Sequence, residues 1–262
     1  MILYPLGATE PRPKHVVPAW EAVERKQRQE AAEWLLVAQT DHAQLAADLA
    51  QVIDSPLLPR LDREVLRAIA LHDAGWERFD RRGLTGSPVA ASRHTSRGRP
   101  LSFLDMQVQQ FLEAWLDSIA IVEEASALGG ILVSEHFRRL AMVRLGHAND
   151  PPEERGRIEQ FVSDETKRQQ HLAQGVNRGE RELAEMVDVL QFCDLLSLYL
   201  CCGAQEDVEF PQQFQGKRVI LRRDGDSCRS EPALFGAGSS LAVSARRYPA
   251  AEIGATIAVL IT

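Results

Sequence analysis

A mainly α fold with a small antiparallel β appendage at the C-terminus is the class this sequence predicts, on three observations. First, apolar residues recur three and four apart in successive runs up to about residue 202, the period of helices that each bury one face. Second, beyond Gly203 the character changes to β-branched runs separated by turn residues. Third, 262 residues of which 45% are hydrophobic and 26% charged can bury one substantial core without disulfide or metal staples. The division expected is a helical domain over 1–203 with an irregular N-terminal arm, and a β appendage over 204–262 packed on it.

Residues 1–18 are proline-rich and read as irregular apart from a short strand at Ile2–Leu6. The charged run Glu21–Glu33 reads as a solvated helix. After Trp34–Val37, Thr40 or Asp41 is placed to cap a helix whose stripe runs through Leu45, Leu49, Val52 and Ile53, with His42 on that stripe. Asp62 is placed to cap the next, where Val65, Leu66 and Ile69 lead to an inward-facing His72 and Asp73 before Gly75 stops the helix. The stretch from Arg78 to Pro100 has glycines, prolines and arginines but no period and reads as a long loop, a class that is usually functional or disordered beyond about 15 residues.

Further helices are expected over Asp105 to about Leu128 and over Ile131–Leu145. Leu132, Val133, Phe137 and Leu140 put His136 on the inner face of the second. A charged, largely solvated helix starts at Asp150, Pro151 and Pro152 and runs to about Gln174. The last, Glu180–Cys202, carries the stripe Leu183, Met186, Val187, Leu190, Cys193, Ser197 and Cys201, and Asp194 interrupts it at the centre. In the tail, Arg218–Leu221, Leu241–Ala245 and Thr256–Ile261 read as strands, with Asp224-Gly225 as a hairpin turn.

A net charge of −7 and a pI near 5.6 argue against a protein that holds a nucleic-acid backbone, which calls for a basic face. Of the 30 basic residues only Lys14, Lys26, Lys167 and Lys217 are lysines. Guanidinium suits bidentate contact with phosphate, although a coding bias explains the same excess. Cys193, Cys201, Cys202 and Cys228 form no CxxC pair and read as reduced, buried thiols. With no signal-peptide pattern and no apolar run of about 20 residues, the expectation is a cytoplasmic protein without a membrane partner.

The chemistry lies where helices that are apolar on one side put His or Asp in a hydrophobic position. A buried unpaired carboxylate costs several kcal/mol, so it should be paired or bound to a cation. Any one inward His reads more simply as a hydrogen-bonded core residue; His42, His72, Asp73 and Asp194 together read as a metal site. Two imidazoles and two carboxylates suit a divalent transition metal (Fe, Mn, Ni, Co or Zn) rather than calcium.

In this order, His42, then His72-Asp73-Ala74-Gly75, then Asp194 in FCDLLSLYLC, the residues resemble the HD superfamily of metal-dependent phosphohydrolases. The stretches WLLVAQTDHAQLA, LHDAGW, LVSEHF and FCDLLSLYL are similar over nearly the whole chain to a bacterial family described only as a domain of unknown function. The superfamily resemblance implies an HD-type helical core whose His and Asp residues ligate one or two ions, and hydrolysis of a small phosphate ester or nucleotide by metal-activated water. Trp76 stands where many hydrolytic members carry Lys. His136 is the one strong candidate for an additional ligand, which favours one ion over two.

In that reading Asp73 and Glu77, four residues on, are the catalytic candidates. Arg93, Arg97 and Trp76 are the candidates for contact with a small anionic substrate, with Arg99 and His94 on the same stretch. Glu135 points about 100° from His136 on a helix and reads as a structural contact; His147 reads as satisfying helix-end carbonyls. Two other readings stand beside the hydrolase: an iron oxygenase on the same scaffold, and a non-catalytic metal- or ligand-sensing protein. A homodimer is left open.

Overall fold

In this computed structural model, residues 1–7, 15–84, 99–147, 149–225, 227–236, 238–249 and 253–261 are described. Among the described residues the apolar stripes become eight helices: α1 (Ala19–Arg28), α2 (Gln39–Gln51), α3 (Arg63–Leu71), α4 (Glu77–Leu84), α5 (Val108–Ala125), α6 (Ala127–His147), α7 (Pro152–Leu172) and α8 (Glu180–Cys201). The strands are β1 (Ile2–Leu6), β2 (Val17–Pro18), β3 (Glu33–Val37), β4 (Val208–Phe214), β5 (Lys217–Asp224), β6 (Ser227–Glu231), β7 (Ser239–Tyr248) and β8 (Ile253–Ile261).

Those strands overturn the expectation of a mainly α fold with a small C-terminal appendage. They form one eight-stranded mixed sheet in the order β1-β3-β7-β8-β6-β5-β4-β2, so both edges come from the N-terminal segment. β2 pairs with β4 and β6 with β8 in parallel; the other pairings are antiparallel. Helix α1 packs against β1 at one edge and β2 at the other, which is possible because the sheet curls around it. The fold is a helical layer wrapped by a curled sheet. The turn expected at Asp224-Gly225 is present, with Asp224 opposite Ser227 and Gly225 at a positive φ of 58°.

Helix α1 is half-buried rather than solvated: Ala19, Ala22, Val23, Lys26 and Gln27 face inward. Gln27 closes the open edge of β1, its Oε1 accepting from Leu3 N–H and its Nε2 donating to Leu3 C=O, both at 2.9 Å. Thr40 and Asp41 lie inside the first turn of α2 instead of capping it. The helix follows Ala38, and a carboxylate from α4 does the work: Gln39 N–H donates to Asp80 Oδ2 at 2.5 Å. The loop expected from Arg78 begins as helix α4; its remainder from 85 to 98 lies outside the described residues. The helix expected to run to Leu128 breaks at Ser126, whose Oγ accepts from Gly129 N–H at 2.9 Å and so starts α6.

Asp62 caps α3 as the sequence predicts, its Oδ1 accepting from Glu64 and Val65 N–H at 3.0 Å each. Replacing it with alanine leaves those donors without a side-chain acceptor. The expected loss is about 1 kcal/mol in urea unfolding, and no change in midpoint would refute the capping account. The core centres on α8, where α1, α2, α3, α6, β1 and β4 all pack. Phe192 of α8 meets Phe210, Phe214 and Phe235, tying helix to sheet. All four cysteines are buried and none is in a disulfide, as the sequence suggests. Among the described residues no helix is long and apolar enough to cross a membrane.

Candidate metal centre

Four helices deliver the site. His42 sits on the first turn of α2, and His72 and Asp73 follow the last residue of α3. His136 lies mid-α6 and Asp194 mid-α8. Each takes a place on the buried stripe, so packing the apolar faces brings the polar groups to one point. His42 and His72 are fully buried, His136 is 1% exposed, Asp73 5% and Asp194 9%.

The doublet depends on its glycine. After Asp73 the chain makes a 3₁₀ turn, Ala74–Trp76, pressed against α5. Gly75 N–H donates to Ser118 Oγ at 2.9 Å. A β-carbon on Gly75 would stand 2.2 Å from Ala114 O and 2.5 Å from Ser118 N, both backbone atoms, so only glycine permits this approach.

Around the common point, His42 Nε2 is 2.7 Å from Asp73 Oδ2 and 3.9 Å from Asp194 Oδ1. His72 Nε2 is 3.7 Å from Asp73 Oδ2 and 3.4 Å from Asp194 Oδ1. His136 Nε2 is 3.7 Å from Asp194 Oδ2. The three imidazoles meet edge to face, His72 lying between the other two at centroid distances of 5.3 and 5.4 Å. Two overlapping groups, His42/His72/Asp73 and His72/His136/Asp194, bring possible ligand atoms within 4.8 Å of one another.

Two ligands about 2.1 Å from one ion stand about 3 to 4 Å apart, according to the angle between them. The separations here fall near that range. A second observation concerns His72. Its Nδ1 donates to Ile69 C=O at 2.7 Å, and its Nε2, buried and aimed at both carboxylates, makes no aligned hydrogen bond among the described residues. An imidazole held by a backbone carbonyl on one nitrogen, with the other turned to an anionic cluster, is the arrangement of a metal ligand. The residues therefore fit a divalent transition metal by donor type, spacing and protonation pattern.

Without a cation the same groups balance one another. Burial disfavours charge on His72, yet Asp73 and Asp194 outweigh it and raise the imidazole to about 9. Burial likewise works against an ionised Asp194, but the histidines hold it down at about 2. His136 is lowered to about 4 by burial, offset only in part by Asp194.

His136 thus joins the cluster from sequence expectation to structure. Glu77 does not: its side chain is 57% exposed and pairs with Arg81 one turn on. Trp76 is buried against Phe79. Arg93, His94 and Arg97 lie outside the described residues. Arg99 is buried and structural, donating to Gln27 C=O and Asp105 Oδ1 at 2.8 Å each. Glu135 holds Arg138 and Arg139, as its helical phase predicts, and His147 Nδ1 donates to Val143 C=O at 2.9 Å. Ser197, which touches His42, carries little signal in the sequence beyond a hydroxyl on the Asp194 stripe.

A family model described as "Protein of unknown function (DUF3891)" matches residues 27–247, a span that contains every residue of the cluster. No curated protein and no solved structure matches the chain.

Proposed function

This chain belongs to the DUF3891 family, and we propose that it is a metal-dependent phosphohydrolase of HD type acting on a small phosphate ester or nucleotide. The observation that supports this most is the convergence of His42, His72, Asp73 and Asp194 on one buried point, in the chain order His, His-Asp, Asp. A bound divalent ion there supplies Lewis acidity and a water acidified toward neutrality. His42, His72, Asp73 and Asp194 would hold it, with His136 on the Asp194 side. Asp73 and Asp194 offset the ion's charge, and their remaining lone pairs can take a proton from water. The apolar packing of α2, α3, α6 and α8 keeps bulk water from the cluster and strengthens every charge interaction within it.

Phosphate release from a panel of phosphomonoesters and nucleotides, assayed on chelator-stripped protein with and without added Mn²⁺, Fe²⁺, Ni²⁺, Co²⁺ or Zn²⁺, tests the proposal. Release that requires the added metal is the expected outcome. Metal that binds at the cluster while no ester is cleaved would instead favour a non-catalytic role. Metal at 100 times its dissociation constant should also stabilise the fold by about 2.7 kcal/mol, read as a rise of several degrees in melting temperature.

A further inference from the structure

We propose that Ser197 is a positioning residue for this centre, fixing the ring hydrogen of His42 on Nδ1 so that the Nε2 lone pair faces the cluster. The inference rests on the reading of the cluster as a metal site. Ser197 lies one turn beyond Asp194 on α8 and is fully buried. Its Oγ is 2.8 Å from the Asp194 carbonyl oxygen and 2.8 Å from His42 Nδ1. A hydroxyl has one hydrogen, and a carbonyl oxygen can only accept. The hydrogen therefore goes to Asp194 C=O, and Oγ has only lone pairs left to offer His42. Nδ1 must carry the hydrogen.

The result matches what the backbone does for His72, whose Nδ1 donates to Ile69 C=O. Two imidazoles from different helices are thereby set in the same tautomer, each presenting Nε2 to the carboxylates. With His42 Nδ1 committed, the 2.7 Å approach of Nε2 to Asp73 Oδ2 needs a proton or a cation between the two atoms. Serine back-bonding within a helix is ordinary and by itself implies nothing. What requires explanation is that the spare lone pairs of a buried hydroxyl, on a stripe shared with Leu190, Cys193, Asp194 and Cys201, meet a ligand imidazole on another helix.

The test combines zinc affinity, by competition with a chelator, and long-range ¹H–¹⁵N correlation spectra of the histidine rings in wild type, Ser197→Ala and Ser197→Thr. In zinc-loaded wild type, His42 should show the Nδ1–H tautomer with a slowly exchanging ring proton. Ser197→Ala should bind zinc about 10- to 100-fold more weakly and lose that slow exchange, and Ser197→Thr, which keeps the hydroxyl, should recover most of both. Wild type that binds zinc, with Ser197→Ala binding equally and its His42 signals unchanged, overturns this inference and leaves the metal reading standing. Wild type that takes up none of zinc, iron, manganese, cobalt and nickel overturns both, and where another of these binds in place of zinc the same comparison is made with it. If Ser197→Ala fails to fold, the wild-type spectrum decides alone, since an Nε2–H His42 contradicts the assignment.

Discussion

Asp194→Asn should lower transition-metal affinity by at least about a hundredfold and metal-dependent hydrolysis by at least about a thousandfold, with the protein still folded. Asp194 is the carboxylate within 4 Å of all three imidazoles, at 3.9 Å from His42, 3.4 Å from His72 and 3.7 Å from His136. Asparagine fills the same space and keeps an oxygen, but it removes the charge that compensates the cation. It also removes one of the two charges that hold His72 protonated in the metal-free state, so the buried imidazole can become neutral instead of leaving an unpaired ion. Metal titration and circular dichroism separate the two effects. Undiminished metal affinity in a folded variant would remove Asp194 from the centre.

Gly75→Ala should destabilise the protein by about 3 kcal/mol or more. The added carbon would lie 2.2 Å from Ala114 O and 2.5 Å from Ser118 N. Both are backbone atoms of α5, so no rotamer change relieves the overlap. Either α5 moves outward, opening the packing of Trp115 against Phe137 and Phe161, or the 3₁₀ turn moves and carries Asp73 with it. Urea unfolding measures the loss, and metal affinity should fall in parallel because Asp73 is two residues away. A variant as stable as wild type would mean that the doublet and α5 are not locked together as described.

The five residues of the cluster were legible because each breaks an apolar helical stripe, and a stripe is a local property of sequence. His136 needed only the phase of Leu132, Val133, Phe137 and Leu140. Glu77 entered through the resemblance, as an acidic residue four positions after Asp73, and not through a stripe. The 3₁₀ turn Ala74–Trp76, with about 3.0 residues per turn, lies between the two, and Glu77 opens α4 on the surface, paired with Arg81.

The sheet was hidden because its pairings are not local. β3 pairs with β7 across the length of the chain, Trp34 opposite Tyr248, and nothing in the short run Trp34–Val37 announces that partner. β4 contains Pro211 and shifts register between Phe210 and Gln213, so it lacks clean alternation; β6, Ser227–Glu231, is mostly polar. Only β5, β7 and β8 carried the β-branched pattern, which made the sheet look like a small appendage. The cap of α2 was illegible in the same way, since its acceptor, Asp80, comes from another helix.

The most direct test of the centre is elemental analysis of the protein purified without chelator, with X-ray absorption at the edge of whatever metal is found and His72→Ala as control. The account predicts near-stoichiometric transition metal in a shell of nitrogen and oxygen at about 2.1 Å, lost in the variant. A wild-type protein that holds no metal, even after reconstitution with each of iron, manganese, cobalt, nickel and zinc, would contradict it.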